Sequence, residues 1–234
     1  MIDTLAIDLL QLLPLAVLGG VLGLDVVSFP QAMLSRPIVA ATMAGALIGQ
    51  PERGLVVGVA LEFFALESMP FGASRYPEWG SASVVGGALF AMTPDNTAAA
   101  MSMALLAALT TATVAGTSMV ALRRWTQAVA ESRHEMLAAG SGRAVVGLQL
   151  AGLTADLLRG ALLTLGALAV FVPLRTAILG TFVFPDTLSR AVAVSVASAV
   201  GLAAVWKVVH TTKGARWWMA AGLLFGFGIA WGLW

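Results

Sequence analysis

Carboxylates stand inside apolar runs of this chain, and any chemistry it performs would begin with them. Glu62 lies within GLVVGVALEFFAL, residues 54–66. A carboxylate placed in hydrocarbon costs about 2.5–3.5 kcal/mol on insertion scales, so it must face a partner, a ligand or a cavity, or carry a proton. Two chemistries follow for Glu62: accepting hydrogen bonds from a polar substrate, or relaying a proton. The structural alternative is an ion pair with Arg36, Arg53 or Arg75. Glu67 follows five positions later, about 140° further around a helix, so the two acids do not share a face if the helix is regular. Glu67 is a further possible site residue near the helix end.

The stretch from Ser68 to Ser83 is the candidate polar pocket. Pro70 and Pro77 each remove an amide donor and break regular helix. Carbonyls freed by those breaks, together with Ser74, Glu78 and Ser81, are suited to hydrogen-bonding the hydroxyls of a sugar. A plain extramembrane loop is the alternative. Tyr76 and Trp79 offer rings for stacking on a sugar, or serve as interfacial anchors. Asp25 and Ser28 precede Pro30 at the end of the first apolar segment, either as a polar cluster facing a hairpin formed by the two short runs that follow or as an interfacial helix terminus.

The elements that must position these groups belong to a membrane protein. The chain is 59% hydrophobic and 11% charged, with a mean hydropathy of +0.91; a soluble domain is about 45–50% apolar and about 25% charged. The fold class expected is an all-α integral membrane protein, a polytopic bundle in one domain over 1–234. Short re-entrant or broken helices form its N-terminal half, and an amphipathic helix lies at the interface. Pro37 to Gly49 reaches only about 20 Å as helix, against a hydrocarbon core of about 30 Å. Leu55 to Leu66 is equally short, and a Gln50-Pro51-Glu52-Arg53 turn joins the two runs. Segment 34–80 therefore reads as a re-entrant hairpin followed by the substrate region; two ordinary spans extended by their flanks are the alternative. Ala41, Gly45 and Gly49 recur every fourth residue, as do Gly54 and Gly58, each set making a close-packing face.

Further on, Trp79 to Met92 is another short run, and Thr97 to Leu122 a complete span that Arg123 and Arg124 should end. Segment 123–158 is expected to be cytoplasmic and interfacial, with an amphipathic helix over 144–158. Spans are expected at 159–182, 191–206 and 217–234, with Phe184–Ser189 outside. The first residues, MIDTLAID, carry acids where a signal peptide has a basic region, so residues 1–24 are read as mature structure.

Composition also excludes functions. With no cysteine and only His134 and His210, neither thiolate chemistry nor a Cys/His metal site is expected. No phosphate-binding Gly-rich loop, Gly-x-Ser-x-Gly or His-Glu-x-x-His motif occurs. No cofactor and no catalytic residue is assigned. The net charge of +1 and the lack of a basic–aromatic cluster give no reason to expect nucleic acid.

The central stretch resembles the IIC permease component of the mannose/fructose/sorbose class of the bacterial phosphoenolpyruvate-dependent sugar phosphotransferase system (PTS). The resemblance rests on the order of Asp25, Leu34-Ser35-Arg36-Pro37, the run to Gly49, Gly54 and Gly58 before Leu61-Glu62, and Pro70-x-Gly72-Ala73-Ser74-x-x-Pro77. It implies an oligomeric, elevator-like permease of the bacterial inner membrane that binds a hexose-type sugar beside a IID membrane subunit. Phosphate would come from a cytoplasmic IIB protein supplied by IIA, so phosphoryl transfer belongs to partners. This chain departs from the family's usual Gly-Asp at the hairpin tip, where it has Gly49-Gln50, and from Pro-Pro-Asp, where it has Tyr76-Pro77-Glu78. Gln50 thereby becomes a possible site residue. An ion- or proton-coupled transporter and a non-transporting scaffold or sensor are the alternative readings.

Overall fold

The computed structural model describes residues 9–66, 75–93, 98–181 and 209–232, with single positions between 185 and 206. Its helices are α1 (Leu9–Asp25), α2 (Pro37–Leu47), α3 (Pro51–Ala65), α4 (Trp79–Ala91), α5 (Ala98–Ser132), α6 (His134–Ala138), α7 (Gly142–Thr181) and α8 (Ala215–Gly232). The loop expected at Phe184–Ser189 and the span over 191–206 fall mostly outside the described residues, and Glu67 and Ser74 fall wholly outside them.

The bundle is built around α4. Every residue from Trp79 to Ala91 is buried, and α1, α2, α3, α5 and α7 all pack on it. A helix apolar on every side can satisfy that composition only by being enclosed. Small residues allow the enclosure: a Cβ at Gly87 would meet the backbone of Ala41 in α2, and one at Gly80 would meet the carbonyl of Leu22 in α1. Enclosure leaves the free amides and carbonyls at the helix ends without water. Glu78 serves the N-terminal end, accepting hydrogen bonds from the amide and hydroxyl of Ser81. At the C-terminal end, Arg175 of α7 donates to the Leu89 carbonyl at 3.1 Å and to the Thr93 hydroxyl at 3.3 Å. An acid at the amino end and a cation at the carboxyl end also oppose the helix dipole.

Helices α2 and α3 form the antiparallel hairpin expected from their lengths of 11 and 15 residues. Their small residues make the contact: Gly54 lies against Ala41 and Gly45, and Gly58 against Pro37 and Ile38. The turn is a Schellman closure. Gln50 N–H donates to the Gly45 carbonyl at 2.8 Å and Gly49 N–H to that of Ala46 at 3.0 Å. Gly49 takes φ +80°, a conformation glycine adopts without the steric penalty of a side chain.

Two expected boundaries are not there. Helix α5 runs through Arg123 and Arg124 to Ser132, because arginine, alanine and glutamine continue a helix readily and no proline intervenes. Helix α7 runs unbroken for 40 residues from Gly142, about 60 Å and twice the hydrocarbon thickness. Residues 144–158 are thus its first half rather than a separate helix. Arg159 does not mark a boundary, since its charge is met inside the bundle by Asp156. Among the described residues, α5 and α7 are the helices long and apolar enough to cross a membrane.

Candidate functional site

The site is built where three helices begin or end. Asp25 closes α1, is almost wholly buried, and accepts hydrogen bonds from the amides of Ala32 at 2.6 Å and Ser35 at 2.8 Å. It thereby folds the following loop over the bundle. Gln31 and Met33, on either side of Ala32, take φ +59° and +61°, a left-handed conformation that surrounding structure must hold in place for residues with side chains.

Arg36 occupies the N-cap position of α2 and supplies no side-chain cap. The cap comes from α3 instead. The Glu62 carboxylate pairs with the Arg36 guanidinium and accepts the Ile38 amide at 3.2 Å. An acid at that place satisfies a free amide and faces the positive end of the helix. Glu62 therefore orients Arg36.

The third contribution is the approach to α4. Tyr76 is buried, its hydroxyl hydrogen-bonded by Arg123, whose guanidinium carbon lies 5.0 Å from the ring centroid. Trp79 is also buried, and among the described residues its indole Nε1 has no hydrogen-bond partner. Between these elements lies a cavity of about 310 Å³, lined by Asp25, Gln31, Arg36, Tyr76 and Trp79 among others. That size sits at the small end of the roughly 300–1,000 Å³ common for small-molecule sites. The lining supplies donors, a carboxylate and two ring systems, a combination suited to a small polyhydroxylated ligand.

Of the residues singled out from sequence, Asp25 lines this cavity directly and Glu62 adjoins it through Arg36. Glu78 and Ser81 are bonded to each other at the start of α4, next to the cavity wall and not among its lining residues. Ser28 lies on the other side of the loop, donating to Asp156 at 2.6 Å. Gln50 is exposed at the far tip of the hairpin. Arg36 was legible only as a possible partner of Glu62, while the buried pair of Asp156 and Arg159 was missed. Its signal was an acid and a base three positions apart in an apolar run, a spacing at which two side chains meet on a helix. Among the described residues, no group of three or more acids and histidines could hold a metal ion.

Short apolar helices broken around a small polar cavity, beside helices long enough to span, define an all-helical membrane-protein fold. The chain belongs to the PTS system sorbose-specific IIC component family, which matches residues 9–231. This bears out the resemblance carried by Asp25, Leu34–Pro37, Glu62 and the run to Pro77. A curated relative, the PTS system sorbose-specific EIIC component of Lacticaseibacillus casei, is 30% identical over 81 residues, 35% of this chain. The match spans 29% of that relative's length. A solved chain titled "Structure of membrane protein" shares the fold with a TM-score of 0.69 at 19% identity, over 96% of this chain and 91% of that one.

Proposed function

We propose that the chain is the membrane permease subunit of a sugar phosphotransferase system and that the cavity between α1, α2 and α4 holds a hexose-type sugar. The observation that carries this is the buried Trp79 Nε1, unpartnered among the described residues, beside a cavity whose other polar groups are Asp25, Gln31 and Arg36. A buried donor left unmade is costly, and a small turn of the Trp79 ring toward the cavity would let a ligand hydroxyl relieve that cost. Tyr76 and Trp79 would take the apolar face of the ring, and Arg36, held by Glu62, would donate to a hydroxyl. Sorbose is the first sugar to test, because the family and the curated relative carry it in their names.

In this reading the chain is a multi-pass protein of the bacterial inner membrane, with α2–α3 as a re-entrant hairpin and the first half of α7 at the cytoplasmic interface. It works in an oligomer with a IID membrane subunit, and IIB, recharged by IIA, phosphorylates the sugar. The proton-coupled alternative is less favoured, because Glu62 is engaged by Arg36 and by a backbone amide.

The test is uptake of labelled sorbose, fructose and mannose by cells carrying the chain with its PTS partners. Sugar should accumulate as sugar phosphate and require phosphoenolpyruvate. Accumulation of free sugar that an uncoupler abolishes would sink the reading. Trp79→Phe keeps an aromatic ring and removes the donor, so KM should rise about tenfold with normal assembly, the scale of one buried hydrogen bond to a ligand. An unchanged KM removes Trp79 from the site.

A further inference from the structure

The cavity just described shares a wall with a second one. That second cavity, of about 600 Å³, lies between the loop after α1, the later part of α5 and the first half of α7. Ser28, Arg123, Gln127, Gln149 and Asp156 give it a polar lining among leucine and valine side chains. Successive residues of one loop face the two spaces: Val26 lines the first, Val27 and Ser28 the second. Tyr76 lines the first and Arg123 the second, and the two are joined by their hydrogen bond and by the stacking of cation on ring.

A string of side chains anchors the loop beside that contact to α7 and α5. Ser28 donates to Asp156 at 2.6 Å. Arg159 pairs with Asp156 at 2.8 Å and reaches the Ser118 hydroxyl at 3.1 Å and the Ala115 carbonyl at 3.3 Å. At the contact itself the two spaces are separated by the paired side chains of Tyr76 and Arg123. Tyr76–Arg123 closes the partition there, and Ser28–Asp156, within the second cavity, anchors the adjoining loop; both are side-chain hydrogen bonds, which water or a passing hydroxyl can replace without breaking any helix.

We propose that the Tyr76–Arg123 contact, braced by Ser28–Asp156, is the inner gate of the sugar route, parting the sugar cavity from a vestibule that opens on the membrane face bearing Arg124, Arg133 and Arg143. This rests on the reading of the first cavity as the sugar site. The vestibule is polar where a sugar would pass, and its lining from Arg123 to Val145 comes from the stretch of chain whose arginines are expected at the cytoplasmic face. Arg123 acts as a positioning residue: it holds the Tyr76 hydroxyl across the opening. Without it, Tyr76 keeps its ring packing but loses the charge-assisted bond that fixes the hydroxyl.

The chain has no cysteine, so single cysteines report access cleanly. Val26→Cys probes the first cavity and Gln127→Cys the second, in the full chain assembled with its membrane partner in inside-out vesicles. A membrane-impermeant maleimide is the probe. Gln127→Cys should react quickly in every background. Val26→Cys should react slowly in the parent and about tenfold faster or more with Tyr76→Phe or Arg123→Gln, the effect of losing a hydrogen bond to a charged group. Arg123→Lys, which keeps a donor and a charge, should restore slow labelling in part. Ser28→Ala provides a milder opening should the others assemble poorly. Val26→Cys labelling that ignores all of these substitutions overturns the gate, as does parent labelling as fast as at Gln127→Cys, or a Gln127→Cys that does not react from this face. Labelling needs no sugar, so absent uptake with the gating pattern intact would sink the sugar reading alone.

Discussion

The broken helices around α4 and the continuous helix α7 both bury acids, and they satisfy them in different ways. Asp25 and Glu78 sit at breaks and accept backbone amides or the hydroxyl beside them. Asp156 sits mid-helix, where every amide already belongs to the helix, and relies on Arg159 and Ser28. Glu62 lies between these cases: in the last turn of α3, it reaches across to the amino end of α2 and to Arg36. A buried acid at a break can therefore be a structural cap that needs no cation, whereas a buried acid within a helix must import a side-chain partner from elsewhere in the fold.

The largest effect should come from breaking the mid-helix pair. Asp156→Ala leaves Arg159, whose side chain is 9% exposed, as an uncompensated buried charge, and loss of one partner of such a pair costs about 3–5 kcal/mol. The thermal transition of the detergent-solubilised protein, followed by size exclusion, should drop sharply. Asp156→Leu with Arg159→Met should recover much of that loss, and a double variant no better than the single would refute the pairing argument.

Gly54→Ala should rank second. Its Cβ would overlap the Ala41 carbonyl, and overpacking a tight contact costs about 1–3 kcal/mol. The same melting assay checks it, with Gly152, which has open space around it, as the control for alanine itself. Equal melting of the two variants would show that the hairpin does not need its close approach.

Glu78→Gln should have the smallest effect, about 1 kcal/mol, because the amide oxygen still accepts from the Ser81 N–H, the amide nitrogen can donate to the Ser81 hydroxyl, and the charge at the helix end is lost. If Glu78→Gln proved as damaging as Asp156→Ala, the distinction between capped and paired acids would fail. If its melting were unchanged but sorbose KM rose severalfold, the Glu78 carboxylate would be serving the ligand as well as α4.

Much of this arrangement was legible before any coordinates. Composition required a membrane protein, run lengths required short helices in the N-terminal half, and the spacing of Ala41, Gly45, Gly54 and Gly58 marked the faces that meet in the hairpin. These are local properties: hydropathy and helical period act over a few turns and do not depend on distant residues. The ends of α5 and α7 were not legible, because charged residues that suit a membrane boundary are also good helix formers, and neither Arg123 nor Arg159 stops a helix.

The acids in the apolar runs divide along the same line. Sequence alone established that Glu62 needed a partner or a ligand and that Asp25 and Glu78 stood beside breaks. Tertiary structure chose what each one meets: Glu62 with Arg36, 26 positions away, and Ser28 with Asp156, 128 positions away. It also placed Trp79 Nε1 in a buried position beside a cavity, with no partner among the described residues. The need for compensation follows from the cost of burying a polar group, which residue type and hydropathy reveal. The identity of the compensating group depends on which helices pack together, and no local period in the chain encodes that.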